Sequence, residues 1–313
     1  MPRNVCISAA DGNTGFAIAD LLLSEPFSTK IDSLTALALD PTSSKAKELE
    51  SHEEDAAGHR MRHHLSYPPA HKDKHNISVE LITAAKKSGI SNVLLVSSVG
   101  CDYADPKTQP HLREFIELEN LTLASKGDAS TELGHSPCVI RAGFYAENLL
   151  LYAPQAKSEG VLPLPIGKNH KFAPVALGDV AFVAAQVLSG KGEHGFDDRH
   201  RGQMMVVTGP MLCAGKELAE AASQALGSEL EFEDISEAEA KRVLKRQSES
   251  DDSEQQYILE YYSLVREGKT NYISTTAFHD VTGEHATEPS NFFKLYSGEF
   301  KRENGNKRQK RHH

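Results

Sequence analysis

The segment that most constrains this chain lies at its start. Residues 4–10 (NVCISAA) form a short apolar run rich in branched residues and lead into Asp11-Gly12-Asn13-Thr14-Gly15. The apolar spacing of residues 16–23 then becomes helical. A buried strand that turns through two glycines straight into a helix opens a βαβ unit. The geometry lets the backbone approach a pyrophosphate, whose charge the helix's free N–H groups and dipole favour. Gly12 and Gly15 stand where that geometry needs them. They equally suit a turn glycine plus a helix-packing glycine, and Ala9 or Ala10 occupies the place of the fingerprint's first glycine.

The alternation continues downstream. Residues 34–39 (LTALAL) read as a second buried strand ending at Asp40-Pro41, and residues 42–50 as a polar helix start. Asn76 is a suitable N-cap for a helix over 77–88, with Lys86 and Lys87 in its last turn and Gly89 as its stop. A strand over 92–96, a helix over 112–125 and a strand over 137–142 follow. The pattern predicts a doubly wound α/β fold of the Rossmann type, a parallel sheet covered by helices.

From about residue 151 the texture changes. A Pro- and Gly-punctuated stretch at 154–174 precedes a helix over 177–188, a strand over 203–208 and helices over 215–226 and 255–266. A capping box at 236–239 opens another helix. The organisation expected is a dinucleotide-binding domain over 1–152, then a smaller mixed α/β substrate or partner region over 153–300. Helix 177–188 returns to the first domain. Residues 301–313 (KRENGNKRQKRHH) read as a disordered basic tail.

Composition narrows the function classes. Lys+Arg 34 against Asp+Glu 44 gives a formal net charge of -10, which argues against coating nucleic acid or an anionic membrane. No apolar run reaches the roughly 18 residues of a bilayer span. The start of the chain carries no hydrophobic signal region, so a cytoplasmic protein is expected. The four cysteines lie far apart without a CxxC, against a disulfide scaffold or zinc ribbon.

Asp40, at the end of the second strand, suits hydrogen bonding to an adenosine ribose, and equally an Asp-Pro turn before the next helix. A 2′-phosphate would ask for a cation, and Lys45 is the nearest downstream. The choice between NAD and NADP therefore stays open.

Residues 9–15 (AADGNTG), the segment 76–100, Arg141-Ala142-Gly143-Phe144-Tyr145-Ala146-Glu147-Asn148 and Gly178-Asp179-Val180-Ala181 resemble the NmrA-like family of atypical short-chain dehydrogenases/reductases. Thr208-Gly209-Pro210 and Val281-Thr282-Gly283 are similar too, so the likeness runs from residue 4 to about 300. The family's turn is usually Gly-Ala-Thr-Gly-x-x-Gly, from which Ala9 and Asp11 depart. The resemblance implies a Rossmann domain that binds NAD(P). Ala9, Ala10, Asp11, Gly12, Asn13 and Thr14 would hold the pyrophosphate. The segment after the second strand would face the ribose, Pro69 would join the cofactor site, and Tyr145, Ala146, Glu147 and Asn148 would line the nicotinamide side. Members divide into reductases of quinones, imines and related small molecules, and proteins that sense the nicotinamide redox state and regulate transcription factors.

Short-chain dehydrogenases move the substrate proton with Tyr-x-x-x-Lys on a helix. The string Tyr103-Ala104-Asp105-Pro106-Lys107 matches, but Pro106 disfavours a helix there and Tyr103 follows Ser97 too closely. Some relatives instead use a lysine near the start of the following helix, where this chain reads HLREFIE over 111–117. Arg113 is the cation available and a poor proton donor. Weak catalytic candidates are therefore Ser97, His111 and Arg113. Ser97 and Ser98 could bond the nicotinamide ribose or a substrate carbonyl, or simply close the strand end, and His111 fits a solvated loop as well as a donor.

Among 15 histidines, His63-His64 and the pair His71 and His75 lie closest together, and both read as structural or solvated rather than as metal ligands. An exposed redox thiol at Cys101 is disfavoured, because the adjacent Asp102 carboxylate would raise its pKa. The cluster Lys307-Arg308-Gln309-Lys310-Arg311 has the look of a nuclear-import signal, which would suit a transcriptional co-regulator.

Because no proton donor is evident, the first expectation is a redox-state sensor or transcriptional co-regulator with a transcription factor or other protein partner. The alternative is an NAD(P)H-dependent oxidoreductase acting on a quinone- or imine-like acceptor, and a weaker third is a scaffold without cofactor. One shortage bears on all three. Two helices and two strands should fit between Pro41 and Asn76, needing about 60 residues, yet residues 42–75 number only 34. Either the third strand is absent from the sheet edge, or the chain is an internally shortened variant of a longer relative. Residues 63–67 are the sole candidate for a fourth strand.

Overall fold

The computed structural model describes residues 3–51, 63–66, 68–90, 92–124, 136–193 and 195–301. The chain begins β1 (Asn4–Ser8), α1 (Asn13–Leu23), β2 (Ser33–Leu37), α2 (Ser44–Glu50), β3 (His63–Ser66), α3 (Lys74–Lys87) and β4 (Asn92–Ser98). It continues with α4 (Pro110–Arg113), α5 (Phe115–Leu123), β5 (Cys138–Ala142), α6 (Ala153–Glu159), β6 (Val161–Leu164), α7 (Leu177–Leu188) and β7 (Met204–Val207). The last part holds α8 (Gly215–Leu226), β8 (Glu231–Asp234), α9 (Glu237–Gln247), α10 (Asp252–Arg266), α11 (Ala277–Thr282), α12 (Pro289–Leu295) and α13 (Ser297–Phe300).

The main sheet is parallel, in the order β2-β1-β3-β4-β5-β7. Every residue of β1 and β4 is buried, as strands covered on both faces must be. One face packs Val5, Ile7, Leu65, Leu94 and Ile140 against α1 and α7 through Ile18, Leu22, Val180 and Ala184. On the other, Leu95 and Val139 meet Ile82 of α3 and Leu118 of α5.

The order explains the shortage of residues after Pro41. β3 does not extend the sheet beyond β2; it crosses to the far side of β1, with Val5 opposite His63 and Ile7 opposite Leu65. It therefore takes the place of a fourth strand. Among the described residues nothing pairs with the outer edge of β2. That edge is open: Leu37 is 39% exposed and Leu39, just beyond it, 51%.

Several boundaries move for local reasons. α3 starts at Lys74 after Asp73, so Asn76 lies inside the helix rather than capping it. The expected helix over 112–125 is two pieces meeting at Glu114. α10 starts three residues earlier than expected, because the Asp251 carboxylate accepts from the amides of Ser253 (2.9 Å) and Glu254 (3.1 Å). The capping box at Ser236 and Glu239 is formed.

A second, two-stranded parallel sheet pairs β6 with β8, which the punctuated stretch 154–174 did not suggest. Around it α8, α9, α10 and α12 enclose an aromatic core of Phe144, Tyr152, Tyr261, Tyr262, Phe292 and Phe293. Tyr103–Lys107 lies in turns, with Tyr103 55% exposed, so the Tyr-x-x-x-Lys string is not helical. No helix is long and apolar enough to cross a membrane among the described residues. The basic cluster at 307–311 lies outside the described residues.

Candidate functional site

β2 lies on one side of β1 and β3 on the other, so the sheet reverses direction between β1 and β3. In open α/β sheets, the carboxyl ends of the strands flanking such a reversal form the ligand crevice. The residues at this place come first from the turn after β1.

Ala9 holds φ +51°, the left-handed conformation in which the usual fingerprint places a glycine. The turn closes with Gly12 N donating to Ala9 O (3.0 Å), and Ala10 N ties it to Leu37 O (3.0 Å). A Cβ on Gly15 would come within 2.2 Å of Ala9 O, so only glycine lets α1 seat this closely on the turn. α1 begins at Asn13 without a side-chain cap and without an acidic residue in its first turn. Its leading amides are therefore left facing the crevice mouth.

Lys45, on α2, donates from Nζ to Asn13 Oδ1. A cation thus sits against the α1 N-terminus, a contact spanning 32 residues. Asp11 turns the other way, accepting from the amides of Leu39 (3.1 Å) and Asp40 (2.8 Å) and joining the turn to the end of β2. Asp40 Oδ1 accepts from Thr42 N (2.8 Å) and Thr42 Oγ1 (2.6 Å), and these bonds hold its carboxyl below the ordinary range. Thr14 is buried, and Pro69, also buried, accepts at its carbonyl from His71 N (2.8 Å). An uncapped helix end, a close-packed glycine turn and a lysine beside it fit a pyrophosphate or a ribose phosphate. Among the described residues no strand flanks the outer edge of β2, beside this turn.

The residues after β5 serve the frame. Ala146 N donates to Val175 O (2.8 Å), Asn148 N to Tyr145 O (3.0 Å), and Tyr145 bridges to Val175. Glu147 Oε2 accepts from Leu177 N (3.0 Å) at the start of α7, and burial raises its carboxyl. Nearby, Asp179 holds Thr287 through both backbone and hydroxyl.

The catalytic candidates separate. Ser97 is 3% exposed and donates to Glu119 Oε1 (2.6 Å). Glu119, itself buried, takes a two-pronged bond from Arg141 (Nε 2.8 Å, NH2 2.7 Å), and Arg141 also reaches Asp102 at 2.9 Å. Cys101 is fully buried beside this network, and burial with the Glu119 charge pushes its thiol to about 12. The thiol is therefore not the exposed redox group that its place beside Asp102 allowed. Arg113 donates to the carbonyls of Cys101 (3.4 Å) and Asp102 (3.1 Å). His111 Nδ1 lies 2.8 Å from Oε1 of the buried Glu260, whose other oxygen accepts from Leu112 N. His75 lies 3.0 Å from Glu117, and no cluster suited to a metal is found among the described residues.

Tyr257 and Lys74, which the sequence did not single out, meet Ser98 at the carboxyl end of β4. The Tyr257 hydroxyl of α10 lies 2.8 Å from Ser98 Oγ. Lys74 Nζ, at the start of α3, lies 4.8 Å from the Tyr257 ring centroid and 5.2 Å from that of Phe115. Lys74 is 4% exposed, and its Nζ has no hydrogen-bond partner among the described residues. Glu254 lies close enough that the Lys74 charge offsets the upward push of burial on its carboxyl. No local pattern marks these residues, because three separate elements carry them.

Sheet order, turn and helix together define a Rossmann-type α/β fold. No family model matches the chain. It is 28% identical over 176 residues to an NAD(P)H azoreductase of Xenophilus azovorans, a stretch that is 56% of this chain and 55% of that protein. The chain thus aligns with about half the length of the curated relatives it matches. In structure it is similar to the NADPH-dependent quinone oxidoreductase QOR2 of Escherichia coli complexed with NADPH (TM-score 0.72, 20% identity, 93% of this chain and 99% of that one). It is also similar to NmrA, a negative transcriptional regulator, in complex with NAD (TM-score 0.69, 12% identity, 94% of each chain).

Proposed function

We propose that this chain is an NAD(P)H-dependent oxidoreductase that reduces a quinone-like or azo- or imine-like small molecule. The observation that carries the reading is the uncapped N-terminus of α1, seated on the Ala9–Gly15 turn with Lys45 against Asn13 at the sheet's reversal point. Ala10, Gly12, Asn13 and Thr14 would hold the pyrophosphate, and Lys45 its charge or that of a 2′-phosphate. Bound there, the reduced dinucleotide supplies a hydride. The crevice orients it, with the nicotinamide half toward β3 and β4, where Ser98 and Tyr257 stand. Likeness to an azoreductase and to a quinone oxidoreductase supports the acceptor class.

A second reading, a nucleotide-sensing regulator with a protein partner on the C-terminal region, draws support from the likeness to NmrA over 94% of the chain. The two readings separate in one assay. Purified protein is titrated with NADPH and NADH by calorimetry and then offered 1,4-naphthoquinone and an azo dye. Saturable binding with sustained turnover, both lost in Gly12→Asp, is the oxidoreductase's outcome. Binding without turnover of any acceptor is the regulator's.

A further inference from the structure

We propose that Tyr257 is the catalytic acid of this site, with Ser98 holding its hydroxyl and Lys74 favouring its phenolate. The inference rests on the oxidoreductase reading and adds the proton donor that the sequence did not supply. Hydride transfer to a quinone leaves one carbonyl oxygen needing a proton. A tyrosine placed by a second hydroxyl beside a cation is a recognised way to provide one.

Three features make the arrangement suitable. The Tyr257–Ser98 bond (2.8 Å) fixes the phenol at the carboxyl end of β4, on the side of the crevice assigned to the nicotinamide. Tyr257 is half-buried, so its hydroxyl remains within reach of a small molecule. Finally, Lys74 Nζ, buried and without a hydrogen-bond partner among the described residues, lies 4.8 Å from the Tyr257 ring centroid. A buried ammonium without a hydrogen bond is costly, and the neighbouring Glu254 carboxylate offsets that cost only in part. Phenolate formed in the reaction would be a second anion beside it. The other charged groups here are Asp251 on α10 and the His111–Glu260 pair.

The step balances. The acceptor gains the hydride, with its two electrons, from the reduced dinucleotide at a quinone oxygen, an azo nitrogen or an imine carbon. The other quinone oxygen, the other azo nitrogen or the imine nitrogen gains the proton as the Tyr257 O–H bond breaks. The phenolate then takes a proton from water, with Ser98 as relay. The net reaction is acceptor plus NAD(P)H plus one solvent proton, giving the two-electron-reduced acceptor and NAD(P)+.

The test compares wild type with Tyr257→Phe, Ser98→Ala and Lys74→Met. Tyr257→Phe keeps the ring under Lys74, and Ser98→Ala serves if that variant fails to fold. In nucleotide-free protein, ultraviolet difference titration should show one tyrosine ionising ahead of the rest. Tyr152, Tyr261, Tyr262 and Tyr296 are all pushed up by burial. The early step should vanish in Tyr257→Phe and move to higher pH in Lys74→Met. With NADPH and 1,4-naphthoquinone, Tyr257→Phe should lose about a hundredfold or more in kcat, with KM within about threefold. Absence of the early step, its survival in Tyr257→Phe, or a kcat within about threefold of wild type overturns the proposal and leaves the oxidoreductase reading standing. A wild type that shows the early step yet reduces no acceptor overturns the oxidoreductase reading, and the acid role with it.

Discussion

Glu119 and Arg141 face each other across a two-pronged hydrogen bond of 2.8 and 2.7 Å, buried between α5 and the carboxyl end of β5. Ser97 adds a third bond to the same carboxylate and Asp102 a second anion to the guanidinium. This network fixes the carboxyl ends of β4 and β5, and it engages the serine that the sequence offered as a catalytic candidate.

Removing Arg141 leaves the buried Glu119 carboxylate without its cation, whereas removing Glu119 leaves the guanidinium its second anion, Asp102. Arg141→Ala should destabilise the fold by about 3–5 kcal/mol, read as a drop in the urea midpoint. The double variant Glu119→Met/Arg141→Met should recover much of the loss, because no unpaired charge then remains. A single-variant loss under about 1 kcal/mol would refute the assignment.

Ala9 sits where a side chain is disfavoured, at φ +51°. Ala9→Gly should therefore stabilise the protein by about 0.5–1 kcal/mol, relief of left-handed strain outweighing the added freedom of the unfolded chain. Thermal unfolding would read this as a rise in Tm, and a fall would show that the turn is not strained.

How much of this was legible in the sequence follows from what each feature depends on. β1, β4 and β5 could be read because strands covered on both faces become continuous apolar runs. The shortage after Pro41 was legible as arithmetic, and it emerges as the open edge at β2. β6 and β8 were hidden. Each is four residues long, one contains Pro163, and the other is the acidic EFED. The glycine turn and Lys45 were both picked out, but their meeting at Asn13 depends on how α2 packs. Tyr257 and Ser98, 159 residues apart, become neighbours only when α10 crosses the sheet end.

Lys45 bears on affinity rather than stability. Replacing it with alanine should weaken NADPH binding about tenfold, or 1.4 kcal/mol, with a smaller salt dependence than wild type. Calorimetry at two ionic strengths checks this; unchanged affinity would remove Lys45 from the phosphate site.

His64 on β3 is 3% exposed, and its Nε2 has no partner among the described residues. Burial lowers its pKa from 6.5 to about 4. Between those values the unfolded chain binds the proton and the folded one does not. Its contribution is therefore complete above pH 6.5 and declines as pH falls toward about 4. The whole shift corresponds to a loss of the order of 3 kcal/mol. His64→Leu should flatten the stability curve across that window, and an unchanged slope would show that another group governs it.

Steady-state oxidation of NADPH, followed by loss of nicotinamide absorbance in the presence of 1,4-naphthoquinone, tests the oxidoreductase activity most directly. Wild type should show saturable, sustained turnover that Gly12→Asp abolishes by preventing nucleotide binding. NADPH that binds but is never oxidised, by any quinone or azo acceptor, would contradict that activity.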